Sequence, residues 1–160
     1  MKIHRPGRWG AITCLWLGLI FFSSTSLAAR WAGYTFAAVW TLIPVKLLPR
    51  HADYGWSSFA AEKSFHIILF AALGILLWKM VPRHPKRVWL IVLTGTLIGS
   101  ASEFYQSFFV GRDPTVRDVL LNAVGTCLGV SLAALVSIAG SGSGGLSQPS
   151  PAIVELHQSE

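Results

Sequence analysis

The stretch Gly99–Gly125, GSASEFYQSFFVGRDPTVRDVLLNAVG, decides how this chain is read. Its flanks are apolar enough to lie in a bilayer, yet it carries Glu103, Gln106, Arg112, Asp113, Arg117, Asp118 and Asn122. Lipid does not tolerate such groups, since an ionised Asp, Lys or Arg at the bilayer centre costs about 2.5 to 3.5 kcal/mol on insertion scales. The spacing resolves the conflict. Gly95, Gly99, Glu103 and Gln106 are separated by four, four and three residues, and Asp118, Asn122, Gly125 and Gly129 by four, three and four. Each set therefore shares one helix face. Each helix has a polar half and a half in which glycines let a neighbouring backbone approach. The pattern predicts an antiparallel hairpin about a loop near Arg112, with Gly99 opposite Gly125 and Thr126, Glu103 opposite Asn122, and Gln106 opposite Asp118. Pro114 suits the start of the second helix, where a missing amide is harmless. Arg112 can fold over the cluster, and its planar fork suits bidentate binding of Glu103, Asp118, or an incoming carboxylate or phosphate.

The rest of the chain places this hairpin in a membrane. At 160 residues it fits one domain, and 52% hydrophobic against 12% charged residues, with a mean hydropathy of +0.54, marks an integral membrane protein. The net charge of +6 does not point to nucleic acid, because the basic residues form no contiguous patch with interleaved aromatics. They stand at the ends of apolar runs. A hydrocarbon core about 30 Å thick needs about 20 apolar residues of helix, and four segments qualify: about 10–29, 64–81, 88–109 and 117–139. They must be helices, since open strands leave backbone groups unpaired in lipid. The expected fold is an all-α, four-helix transmembrane bundle over residues 10–139, with a nine-residue N-terminal segment before it and a flexible tail, 140–160, after it.

Lys2, Arg5 and Arg8 precede the first span, and Lys79, Arg83, Lys86 and Arg87 surround the second-to-third connection. The positive-inside rule puts both on the cytoplasmic side, and four spans return the C-terminus there as well. The N-terminus also resembles a cleavable signal, with AITCLWLGLIFF followed by SLAA; retention as a span and cleavage after residue 28 are both open. Residues 31–60 hold Trp31, Tyr34, Trp40, Tyr54 and Trp56 among short apolar stretches broken by Pro44 and Pro49, a pattern too interrupted to span and suited to an interfacial or re-entrant segment on the outer face. Cys14 and Cys127 show no CxxC or Cys/His spacing and are expected to be free thiols.

In this topology Glu62, Lys63 and His66 begin the second span from outside, Glu103 and Gln106 end the third, and Asp118 and Asn122 begin the fourth. Glu103 lies 15 residues after Val88, about 22 Å along a helix. That depth is in the outer third of the bilayer, where it needs a partner or a proton.

These residues resemble the VanZ-like family of bacterial membrane proteins, named for a component of teicoplanin-resistance clusters. The family pattern, Asp-Lys-x-x-His-Phe followed by Glu-x-x-Gln, an Arg, and Asp-x-x-x-Asn-x-x-Gly-x-x-x-Gly, is matched here by Lys63, His66, Glu103, Gln106, Phe108, Arg112, Asp118, Asn122, Gly125 and Gly129. Glu62 stands in place of the Asp, keeping its charge on a longer arm, and Ile67 replaces the Phe. The match covers about residues 57–137. It implies a four-helix protein of the bacterial cytoplasmic membrane with a polar site near the outer surface, and a link to envelope stress or glycopeptide susceptibility. It supplies no reaction.

Three functional classes remain open. A binding site for an anionic or lipid-linked envelope component would use Lys63, His66, Glu103, Gln106, Arg112, Asp118 and Asn122, with Arg112, Lys63 and Arg117 holding the anion. An enzyme would use Glu103 or His66 as general base, Asp118 to orient it and Arg112 to stabilise developing charge. No complete catalytic signature such as GxSxG or HExxH accompanies them. A structural staple would use the same side chains only as interhelical hydrogen bonds, worth on average about 0.6 kcal/mol each in a membrane. A metal held by Glu62, His66 and Glu103 is geometrically conceivable, but Lys63 and Arg112 oppose it, so neither metal nor cofactor is expected. A single four-helix chain encloses too little cavity for a channel or transporter.

Overall fold

The computed structural model describes residues 6–43 and 53–142. Five helices and no strand occur among them: α1 (Pro6–Ser23), α2 (Ser26–Leu42), α3 (Tyr54–Met80), α4 (Arg87–Gln106) and α5 (Val116–Gly142). Three of these, α3, α4 and α5, are long and apolar enough to cross a membrane, and α1 with α2 forms a bent pair that raises the number to as many as four. Pro44, Pro49 and the tail beyond residue 142 lie outside the described residues.

The first segment departs from the expected span over 10–29. Helix α1 ends at Ser23, and α2 leaves it at 80°. The hydroxyl run SSTS accounts for the break. Ser23 Oγ and Ser24 Oγ donate to the Ile20 carbonyl at 2.7 and 3.1 Å, and Thr25 Oγ1 donates to the Phe22 carbonyl at 2.8 Å. These side chains compete for carbonyls at the helix end. Thr25 Oγ1 then accepts from the Ala28 amide at 3.3 Å and caps the next helix. Residues 31–42, the described part of the segment expected to be interfacial or re-entrant together with Tyr54 and Trp56, belong to the continuous helix α2, none of whose residues is buried.

Helix α3 begins ten residues before the expected position 64. Asp53 caps it by accepting from the Trp56 amide at 3.2 Å. Its 27 residues extend about 40 Å, more than the thickness of a hydrocarbon core. Helix α4 stops at Gln106, three residues short of the expected end. The chain then turns through Gly111, whose φ of 79° lies in the left-handed region that glycine occupies without strain. Pro114 precedes α5 rather than opening it. Thr115 takes the capping role, its Oγ1 accepting from the Asp118 amide at 3.2 Å.

Helix α5 packs most extensively on α3, then on α4, while α1 lies against α3. The glycines decide this order. A Cβ on Gly74 of α3 would come within 2.6 Å of the Thr126 carbonyl oxygen, and Cβ atoms on Gly125 and Gly129 of α5 would run into the Ile67 and Ala71 backbones of α3. The α3–α5 contact is therefore backbone against backbone. On α4, Gly95 makes room for the Thr126 side chain and Gly99 for that of Asn122. The expected facing of Gly99 with Gly125 does not occur, because the α5 glycines are turned towards α3.

The apolar core joins Ile20, Leu69, Phe70, Leu73, Leu77, Ile91 and Val130. Trp16 ties α1 to it by donating from Nε1 to the Leu69 carbonyl at 2.9 Å. Large apolar side chains such as Leu93, Leu97, Leu120, Leu132 and Leu135 point outward, while Glu103, Gln106, Asp118, Asn122 and Thr126 are buried. Apolar outside and polar inside is the arrangement a bilayer imposes. Cys14 and Cys127 are free thiols on the outside of the bundle.

Candidate functional site

Three helices bring their polar residues to the end of the bundle that carries the α4–α5 connection. Lys63 and His66 lie three apart on α3, Glu103 and Gln106 three apart on α4, and Asp118 and Asn122 four apart on α5, so each pair shares a face. Of these, Glu103 and Asp118 are 5% and 2% exposed, and Asn122 is fully enclosed.

The partners differ from those the spacing suggested, and the turning of α5 towards α3 is the reason. Asp118 pairs with Lys63 of α3, the Nζ standing 2.9 Å from Oδ1 and 3.0 Å from Oδ2. Thr115 Oγ1 also donates to Asp118 Oδ2 at 2.9 Å. Asn122 Oδ1 lies 3.1 Å from Nδ1 of His66, again on α3. An amide oxygen only accepts, so Nδ1 carries the proton and the neutral imidazole keeps its lone pair on Nε2. Gln106, expected opposite Asp118, instead donates from Nε2 to Glu103 Oε1 at 3.2 Å within its own helix. Glu103 Oε2 and Asn122 Nδ2 are buried without a hydrogen bond, although the Thr115 amide approaches the Glu103 carboxylate.

Arg112 does not bind the carboxylates directly. Its Nη2 donates to the Ser23 carbonyl at 3.3 Å, joining the α4–α5 connection to the end of α1, and its charge still acts on Glu103. Ser26, Ala29, Arg30, Val110 and Gly111 line an open cleft of about 530 Å³ beside it. At the rim, Lys63 also reaches Glu62 Oε1 at 3.4 Å, and Arg117 and Lys63 lie 4.9 and 5.4 Å from the centroid of the Phe59 ring. Asp113 is exposed on the connection.

Thr115, Ser23 and Phe59 were not anticipated as parts of this assembly. Two of them carried a signal: Thr115-x-x-Asp118 has the spacing of a capping pair, and Phe59 stands one turn before Lys63. Ser23 lies in FFSSTS, which resembles the serine-containing end of the first span in the VanZ-like family, but its contact with Arg112 joins residues 89 apart and no local spacing signals it. His66, Glu103 and Asp118 also bring three ligand-capable atoms within 4.8 Å of one another, a different trio from Glu62, His66 and Glu103. Chemically, the assembly offers an imidazole lone pair, two carboxylates and two cations at one end of an otherwise apolar bundle.

A comparison with family models matches residues 9–137 to the family described as VanZ/LLP1, from α1 nearly to the end of α5. No curated protein and no solved structure matches the chain. The match covers most of the sequence and includes every helix that builds the polar cluster: this multi-pass membrane protein belongs to the VanZ/LLP1 family.

Proposed function

We propose that the chain binds an anionic or lipid-linked component of the bacterial cell envelope in an outward-facing site built from Lys63, His66, Glu103, Gln106, Arg112, Asp118 and Asn122. It crosses the cytoplasmic membrane four times with α1, α3, α4 and α5, both termini inside, and α2 lies along the outer interface. Helices α4 and α5 form the hairpin that closes the site.

The observation that carries this reading is the pairing of buried polar atoms that lack a hydrogen bond, Glu103 Oε2 and Asn122 Nδ2, with the cations Lys63 and Arg112 beside them. A pure staple would satisfy its own groups, because an unpaired buried polar atom costs about 1 to 3 kcal/mol. A ligand oxygen would accept from Asn122 Nδ2 and from Arg112 Nε, also buried without a hydrogen bond, and a ligand hydroxyl would donate to Glu103 Oε2. The apolar part of such a ligand would lie against the outward-facing side chains around Phe104 and Phe108, both exposed. A second reading, acid/base chemistry on such a ligand, draws on the tautomer that leaves His66 Nε2 basic.

Native mass spectrometry of protein purified from its own membranes in mild detergent tests the binding reading. Wild type should carry a discrete extra mass that Glu103→Gln and Arg112→Ala lose while eluting as folded protein. Ligand-free spectra for all three would leave the staple. A glycopeptide susceptibility assay in a strain lacking the chain tests the link to teicoplanin, and an unchanged inhibitory concentration would remove it.

A further inference from the structure

We infer that His66, Glu103 and Asp118 form a binding site for a first-row divalent metal ion, of the Zn²⁺ or Mn²⁺ class. One residue comes from each of α3, α4 and α5, and a ligand atom of each lies within 4.8 Å of the others. Bound at about 2.0 to 2.2 Å, tetrahedral N and O ligands lie about 3.4 Å apart, so small side-chain rotations close the set.

The hydrogen bonds around the trio are those of a supported metal site. His66 is held through Nδ1 by Asn122, which leaves Nε2 as the donor. Glu103 is held through Oε1 by Gln106, which leaves Oε2 without a hydrogen bond although it is buried. Asp118 is held through Oδ2 by Thr115, and its Oδ1 faces the Lys63 ammonium. Each candidate ligand is thus oriented by a neighbour that is not itself a ligand, with a second atom outside that hydrogen bond. A nitrogen and two carboxylate oxygens select a borderline ion over Mg²⁺ or Ca²⁺, which take oxygen sets.

Lys63 is the competitor, 2.9 Å from Asp118 Oδ1. It has somewhere to go: Glu62 Oε1 is already 3.4 Å from the same Nζ and is largely exposed. On metal binding Lys63 passes to Glu62. The divalent ion with Glu103 and Asp118 is then electrically neutral, which a low-dielectric interior accommodates better than two carboxylates facing one ammonium. The inference does not depend on the anionic-ligand reading, because the three side chains suffice to hold the ion.

The experiment uses the full chain in detergent, stripped with chelator, dialysed, and titrated with Zn²⁺ or Mn²⁺ alone. Metal content is read by elemental mass spectrometry, and bound Mn²⁺ by its paramagnetic resonance spectrum. Wild type and Arg112→Ala should each bind about one ion per chain, while His66→Gln and Glu103→Gln, checked for helicity and monodisperse elution, should lose at least ten-fold in affinity. Lys63→Met removes the competing cation and should bind about ten-fold more tightly, which no purely structural role of Lys63 predicts. Binding equal in Glu103→Gln, or no binding by folded wild type, overturns the site. Arg112→Ala separates the two proposals, since it should lose the envelope ligand and keep the metal.

Discussion

At the scale of single residues, the weight of the cluster falls on Lys63 and Asp118. Ordinary interhelical hydrogen bonds in a membrane average about 0.6 kcal/mol, whereas removing one partner of a buried ion pair costs about 3 to 5 kcal/mol by stranding the other charge. With Asp118 almost wholly enclosed and the Lys63 side chain 15% exposed, the pair is close to the buried limit. In chelator-containing buffer, Lys63→Met and Asp118→Asn should each lower stability to unfolding in SDS by about 3 kcal/mol. The double variant should recover about 1 to 3 kcal/mol of the summed loss. Strictly additive losses would show that Glu62 alone neutralises Lys63. The sequence made the polar set and its convergence legible, since helical spacing fixes which residues share a face. It did not reveal who pairs with whom: Asp118 could reach Gln106 or Lys63 depending on how far α5 rotates, and that rotation is set by glycines a turn or two away.

At the scale of helices, the glycines separate into those that set a backbone contact and those that do not. A Cβ on Gly129 would collide with the Ala71 carbonyl of α3, and helix backbones do not yield as flexible side chains do. By contrast, Gly18 of α1 and Gly33 of α2 have nothing within 4 Å. Overpacking of this kind costs about 1 to 3 kcal/mol, while Gly→Ala in an open helical position gains about 0.5 to 1 kcal/mol from helix propensity. Gly129→Ala should therefore lower the thermal aggregation midpoint in detergent by several degrees, and Gly18→Ala and Gly33→Ala should leave it level or raise it. Equal behaviour of the three would refute the α3–α5 contact. The apolar runs made α3, α4 and α5 legible because a bilayer demands length and hydrophobicity together. The ends were less so. The Asp53 cap and the SSTS break are local hydrogen-bond devices, and hydropathy averaged over twenty residues passes over both.

At the scale of the molecule, the standing of α1 decides whether the bundle is whole. If residues 1–28 were a removable leader, the rest of the chain would leave the apolar core without Ile20, the Leu69 carbonyl without the Trp16 donor, and Arg112 without the Ser23 carbonyl. Burial of one large apolar side chain is worth about 1.5 to 3 kcal/mol in water, but in lipid that drive is weak and packing and hydrogen bonds decide. The Trp16 and Arg112 bonds are therefore what the bundle would lose with α1, a helix that the family match from residue 9 includes. The intact mass of purified protein should include residues 10–28. The proposed orientation has its own test. In a background with Cys14→Ala and Cys127→Ala, Val110→Cys, at a position 94% exposed, should react with a membrane-impermeant maleimide in cells whose outer membrane alone is permeabilised. Arg83→Cys, in the basic α3–α4 connection, should react only after the inner membrane is opened. The reverse pattern would turn the polar cluster towards the cytoplasm, and with it the choice of ligand would pass from envelope precursors to soluble anions.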